Sequence, residues 1–148
     1  SVERFDIDKG NWSTVASMPA RKSGCRGVTL STRALVIGGY RMLDSGDIQT
    51  LAQVDSYDWV RDEWTLDVPP MKVARYDCAA VALPGDRALV AGGTDAGQSW
   101  LVSVEVYDDH IGGWAALPPL SIERDRCAAV ALSAGDDGVT AETVLVMG

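Results

Sequence analysis

The sequence predicts an all-β fold built from a repeat of about 50 residues, and three observations lead there. Val2-Glu3-Arg4-Phe5-Asp6 with Trp12, Val54-Asp55-Ser56-Tyr57-Asp58 with Trp64, and Val104-Glu105-Val106-Tyr107-Asp108 with Trp114 are copies of one pattern, with Trp six residues after Asp. The copies start 52 and 50 residues apart, a period that marks repetition of one supersecondary unit. Cys25, Cys78 and Cys127 recur at spacings of 53 and 49. Short apolar runs ending in glycine follow each cysteine, and helical periodicity is absent throughout.

Each copy reads as four strands. The first begins at the cysteine: Cys25-Arg26-Gly27-Val28-Thr29-Leu30, Cys78-Ala79-Ala80-Val81-Ala82-Leu83 and Cys127-Ala128-Ala129-Val130-Ala131-Leu132. Small side chains suit a strand where several sheets converge on an axis, so these are placed innermost. The second strand is Ala34-Leu35-Val36-Ile37 before Gly38-Gly39, Ala88-Leu89-Val90-Ala91 before Gly92-Gly93, and Val144-Leu145-Val146-Met147 before Gly148. A run of this kind ending in glycine is a buried strand whose end needs positive φ or close backbone approach. The Val-acid-x-aromatic-Asp segment alternates as a third strand. The fourth carries the Trp and runs into Pro19, Pro69-Pro70 or Pro118-Pro119, and since proline removes a ladder donor this strand belongs outermost.

These features, the Gly-Gly pair and the aromatic-Asp strand with its spaced Trp, resemble kelch repeats over essentially the whole chain. The resemblance implies a β-propeller of four-stranded blades, most often six. Residues 1–24 are then a half-blade holding strands 3–4, residues 25–77 and 78–126 are blades, and residues 127–148 are a half-blade holding strands 1–2. That makes about three blades, fewer than the usual 4–8. Two completions stand open. The chain is part of a roughly six-bladed propeller whose other blades lie elsewhere in a longer chain, or two chains exchange half-blades as a homodimer and complete a six-bladed ring. Stopping between the two glycines of the motif favours the first.

Composition narrows the function classes. The formal charge of −8 argues against nucleic acid, whose binding depends on clustered Lys and Arg, and against an anionic membrane surface. No apolar run reaches the roughly 20 residues needed for a spanning helix. The cysteines sample one repeat position without a C-x-x-C pair, so they read as small buried residues. Unpaired cysteines favour a reducing compartment, and localisation is otherwise open.

In propellers resembling this one, loops 2–3 and 4–1 share a face near the channel mouth, which commonly grips partner peptides, often through arginines. Here that face holds Tyr40–Gln53, Thr94–Ser103 and a cation three residues before each cysteine: Lys22, Arg75 and Arg124, with Arg126 added in the third copy. Lys22, Tyr40, Arg41, Arg75, Trp100, Arg124 and Arg126 are therefore the candidate partner-binding residues. The competing reading is that the cations pair with nearby carboxylates and order the loops. The other face carries the Ser133–Thr143 insertion, with Asp136 and Asp137, and the single histidine, His110.

No catalytic set, metal site or cofactor is expected. Copper oxidases of this fold need two histidine ligands, and the chain has one histidine. The Glu-x-x-x-Asp-x-x-x-His motif of iron-dependent specifier proteins is matched by Glu105 and Asp109 but fails at Gly113. No nucleophile elbow or phosphate loop is present, and the recurring Glu3, Asp55 and Glu105 read as structural hydrogen-bonding groups. The expected function is non-enzymatic binding of another protein or peptide. Its alternatives are a structural subunit of a larger assembly, and part of a propeller enzyme with catalytic residues in blades outside this sequence.

Overall fold

The structure, a computed structural model, describes residues 1–132 and 143–148. These residues form fourteen strands and no helix. In chain order they are β1 Val2–Asp6, β2 Asn11–Val15, β3 Arg26–Thr29, β4 Ala34–Ile37, β5 Tyr40–Met42, β6 Ile48–Thr50, β7 Val54–Asp58, β8 Glu63–Thr65, β9 Ala79–Leu83, β10 Arg87–Ala91, β11 Val104–Asp108, β12 Gly113–Leu117, β13 Ala128–Leu132 and β14 Thr143–Met147. The segment expected as an insertion, with Asp136 and Asp137, lies outside the described residues except for Thr143, which opens β14.

Two sheets have four antiparallel strands, in the orders β3-β4-β7-β8 and β9-β10-β11-β12. Three more have two strands each, β1-β2, β13-β14 and β5-β6. The Ala- and Val-rich strands β9 and β13 lie side by side, as do β3 and β9. The first strand of each repeat therefore faces the common axis, and the Trp-bearing strand forms the outer edge of its sheet. This is the all-β propeller organisation expected from the repeat.

Adjacent sheets pack through the alternation of their second strands. Val28, Leu35 and Ile37 of one blade meet Ala88, Val90, Tyr107 and Trp114 of the next in one buried cluster, with Met71 and Cys78 between them. On the opposite face of that second blade, Leu89, Ala91 and Val104 pack against Val144 and Val146 of β14. Period-two alternation thus supplies both faces of each blade with apolar side chains. Burial pushes the Cys78 thiol up to about 11, so it is protonated and behaves as a small apolar residue.

The glycine pairs do what their position demands. Gly92 and Gly93 both have positive φ, and a Cβ on Gly93 would lie 2.6 Å from the Tyr76 carbonyl oxygen and 2.8 Å from the Cys78 Cβ. One element was not legible. The loop expected between the second and third strands of the first blade contains a hairpin, β5–β6, with Tyr40 opposite Thr50 and Met42 opposite Ile48.

Carboxylates clip neighbouring blades together. Asp62 Oδ1 accepts from the Ala16 amide at 2.8 Å, and Asp86 accepts from both the amide and the hydroxyl of Ser31. The Ala16 amide, helped by the Tyr57 hydroxyl, holds Asp62 below its ordinary carboxyl pKa of 3.8. The Ser31 bonds do the same for Asp86. A depressed folded pKa means that stability is present above the unfolded value and is lost as pH falls through the folded one. Asp62→Asn and Asp86→Asn are therefore expected to flatten the fall in stability below about pH 4, as followed by tryptophan emission during acid titration. An acid limb unchanged in both variants would contradict the clip.

Candidate functional site

The channel-mouth face is built where the connections before each first strand meet those after each second strand. Isolated bridges join Ser23 to Tyr40, Tyr76 to Thr94, Thr94 to Trp100 and Leu101 to Arg124. Backbone hydrogen bonds reinforce them, among them a reciprocal pair between Tyr76 and Thr94 at 3.0 and 2.9 Å. These loops are therefore tied down and not free tails.

The seven candidate residues separate into buried and displayed groups. Arg75 is 0% exposed. Its guanidinium donates to the Gly92 and Ser103 carbonyls, to the Ser103 hydroxyl and to Glu105 Oε1 at 2.7 Å. Glu105 also accepts from the amides of Lys72 and Val73. Lys22 repeats the arrangement one blade earlier, with Nζ 2.8 Å from Asp55 Oδ2 and both side chains fully buried. Lys22 and Arg75 thus each neutralise the carboxylate of their own third strand with a buried side chain, although Lys22 is half-buried as a whole and its segment borders the open cavity beside Tyr40. The acids behave as structural groups, as expected for Asp55 and Glu105, but Glu3 of β1 is exposed.

Arg124, the third member of the series, is half-buried and donates to the Gly148 carbonyl. The remaining candidates reach the surface. Arg41 is exposed and donates to Gln49 Oε1 across the β5–β6 hairpin. Tyr40 is half-buried, and its ring meets that of Tyr76 edge-on at 5.2 Å. With Arg21 and Met42 these residues border an open cavity of about 520 Å³. Trp100 is 58% exposed, directly after the Asp95–Ser99 turn and bridged to Thr94. Arg126 is 82% exposed at its side chain and lies 3.8 Å from Asp77 and 3.7 Å from Asp125.

Two features of this face escaped the sequence. Tyr76 aligns with Ser23 and Asp125, so no repeat signal marks it. The residue preceding each cysteine, Gly24, Asp77 and Arg126, has positive φ in every copy, which only the glycine announces.

The tryptophans are graded. Trp114 is 9% exposed, and its indole donates to Pro69 O at 2.9 Å. Trp64 does the same to Ala16 O at 2.8 Å. Trp12, at the same repeat position, is 66% exposed; its ring lies 5.0 Å from that of Phe5, and the two strands that carry the pair form a sheet of their own among the described residues. On the opposite face His110 is an exposed turn residue whose amide donates to Asp108. Among the described residues, no group of three His, Cys, Asp or Glu side chains could hold a metal ion.

No protein-family model matches the chain. Kelch repeat and BTB domain-containing protein 12 of Danio rerio is 33% identical over 131 residues, which is 81% of this chain and 21% of that protein. An F-box/kelch-repeat protein of Arabidopsis thaliana is 30% identical over 136 residues, 87% of this chain and 37% of the relative. Human kelch-like protein 34 is 33% identical over 126 residues, 78% of this chain and 19% of the relative. The chain thus spans well under half the length of these relatives. Among solved structures, that of YjhT superposes with a TM-score of 0.71 over 80% of this chain and 44% of its own, at 12% identity, a likeness of fold alone. Repeat pattern, blade topology and relatives agree: the chain belongs to the kelch-repeat family and has a β-propeller fold.

Proposed function

We propose that the chain is a non-enzymatic interaction module that holds another protein or peptide on its channel-mouth face, using Tyr40, Arg41, Trp100 and Arg126. The observation that carries this reading is Arg126. It stands at φ 50°, where a residue with a Cβ costs roughly 1–2 kcal/mol and where the first repeat has Gly24. Its two ion pairs are long and solvated, and such pairs contribute about 0–1 kcal/mol. The fold gains little from an arginine there. A strained, outward-pointing cation supports a role toward something outside the chain. Trp100 adds an exposed aromatic of the kind enriched at interface hot spots.

The reading makes a prediction in which stability and binding separate. Arg126→Gly relieves about 1–2 kcal/mol of strain against an entropic cost of about 0.5–1. Urea denaturation should therefore show no loss of stability and a gain of up to about 1 kcal/mol. Capture of a partner from lysate of the source cells, quantified by mass spectrometry against wild type, should fall, and fall further with Trp100→Ala added. Undiminished capture by the double variant would sink the proposal.

A further inference from the structure

The β5–β6 hairpin is a two-stranded sheet of its own, set inside a blade whose four strands, β3, β4, β7 and β8, are all present. Its register fixes where its backbone groups point. Leu43 N donates to Asp47 O and Leu51 N to Gly39 O, so Arg41 and Gln49 are the bonded pair between them. Tyr40, Met42, Ile48 and Thr50 then turn their N–H and C=O groups away from the hairpin. On β5 the Tyr40 groups are taken by a reciprocal pair with Ser23 at 2.9 and 2.8 Å. On β6 the groups of Ile48 and Thr50 have no partner among the described residues. The matching connection of the second complete blade offers less, a turn closed by the single Thr94–Trp100 bridge.

Side chains follow the same alternation. Tyr40, Met42, Ile48 and Thr50 share one face of the ribbon, with Arg41 and Gln49 on the other. Met42 is 64% exposed. Arg41 Nε donates to Gln49 Oε1, which draws the guanidinium across the ribbon toward β6. Neither of its terminal nitrogens has a partner among the described residues.

We propose that β6 takes an extended segment of a partner protein beside it as a further strand, bonded to the outward groups of Ile48 and Thr50. This rests on the binding face assigned above and gives that face a mode of recognition, strand addition at an open edge. The segment alternates. Apolar side chains fall beside Ile48 and Thr50, and a carboxylate falls beside Gln49, within reach of the Arg41 guanidinium. The blade already has its four strands, so the ring itself supplies no further strand for this edge. A second copy is a poor occupant, because two chains of net charge −8 repel and an edge of two outward residues offers little to offset that.

The probe is a phage-displayed library of random peptides, selected on the folded chain, with the enriched sequences remade as synthetic peptides for titration. They should alternate apolar and polar positions and carry Asp or Glu at a polar one. Thr50→Pro removes that residue's outward N–H and leaves the bonds within the hairpin, at an edge position that tolerates proline. It should weaken binding about 10-fold, the effect of one lost hydrogen bond, whereas Thr50→Val keeps the N–H and should bind as wild type does. Methylating the peptide's backbone nitrogens one at a time should abolish binding at alternate residues only, a readout that does not depend on the proline variant folding. Peptides indifferent to Thr50→Pro and without alternation under methylation would overturn strand addition. If those peptides are lost with the Arg126→Gly, Trp100→Ala double variant, the binding face itself still stands; if they are not, it falls too. A library that yields no binder, or a chain that pairs with its own copy through Thr50, would equally overturn the proposal.

Discussion

Arg75→Ala is expected to destabilise the protein by about 3–5 kcal/mol. The arginine lies in the connection leading into β9, and its carboxylate partner, Glu105, lies on β11. Removing it leaves an uncompensated, 2% exposed Glu105 and frees the Gly92 and Ser103 carbonyls that it bonds. An unpaired buried charge is what makes breaking such a pair costly, far more than the net worth of the intact pair. Arg75→Lys should be intermediate. A lysine keeps the charge, as Lys22 does beside Asp55, but loses the planar fork that serves Gly92, Ser103 and Glu105 together. Chemical denaturation with matched slopes checks both variants.

Trp114→Ala should cost a similar amount, about 3–5 kcal/mol, by a different mechanism. The indole fills the seam between the two complete blades, 5.3 Å from the Tyr107 ring, and its N–H reaches across to Pro69 O. Truncation opens a cavity and strands a carbonyl. Trp114→Phe refills part of the cavity but cannot donate, and should recover more than half of the loss. Tyr107 would report the change. Burial, together with its hydrogen bond to Asp109, raises its hydroxyl to about 12, and opening the seam should lower that value in a spectrophotometric titration.

The fold was legible because blades repeat. Cys, Gly-Gly, aromatic-Asp and Trp each occupy a position with one physical demand: a crowded axis, a left-handed turn, an alternating strand, a seam. The candidate site was legible only in part, and Lys22 and Arg75 show why. Cation and acid each recur in the sequence, and their joint recurrence was the available signal for a buried pair. Which recurring charge is buried, however, is decided by the contact between a loop and the third strand of its own blade, some 30 residues away for Arg75 and Glu105. Trp12 carries the same lesson, since the exposure of a packing residue depends on a neighbouring sheet and not on its own segment. The β5–β6 hairpin was missed because three-residue strands around Asp44-Ser45-Gly46-Asp47 are too short to display a period.

We propose that the cations preceding the cysteines belong to the scaffold and that partner binding falls to Tyr40, Arg41, Trp100 and Arg126. A double-mutant cycle on Arg75 and Glu105 tests it most directly, using Arg75→Met, Glu105→Leu and the pair in equilibrium denaturation. The account predicts that the double variant is far less destabilised than the sum of the single ones, with a coupling of about 2–3 kcal/mol. Single effects that add to within about 0.5 kcal/mol would contradict it and return Arg75 to the candidates for the binding surface.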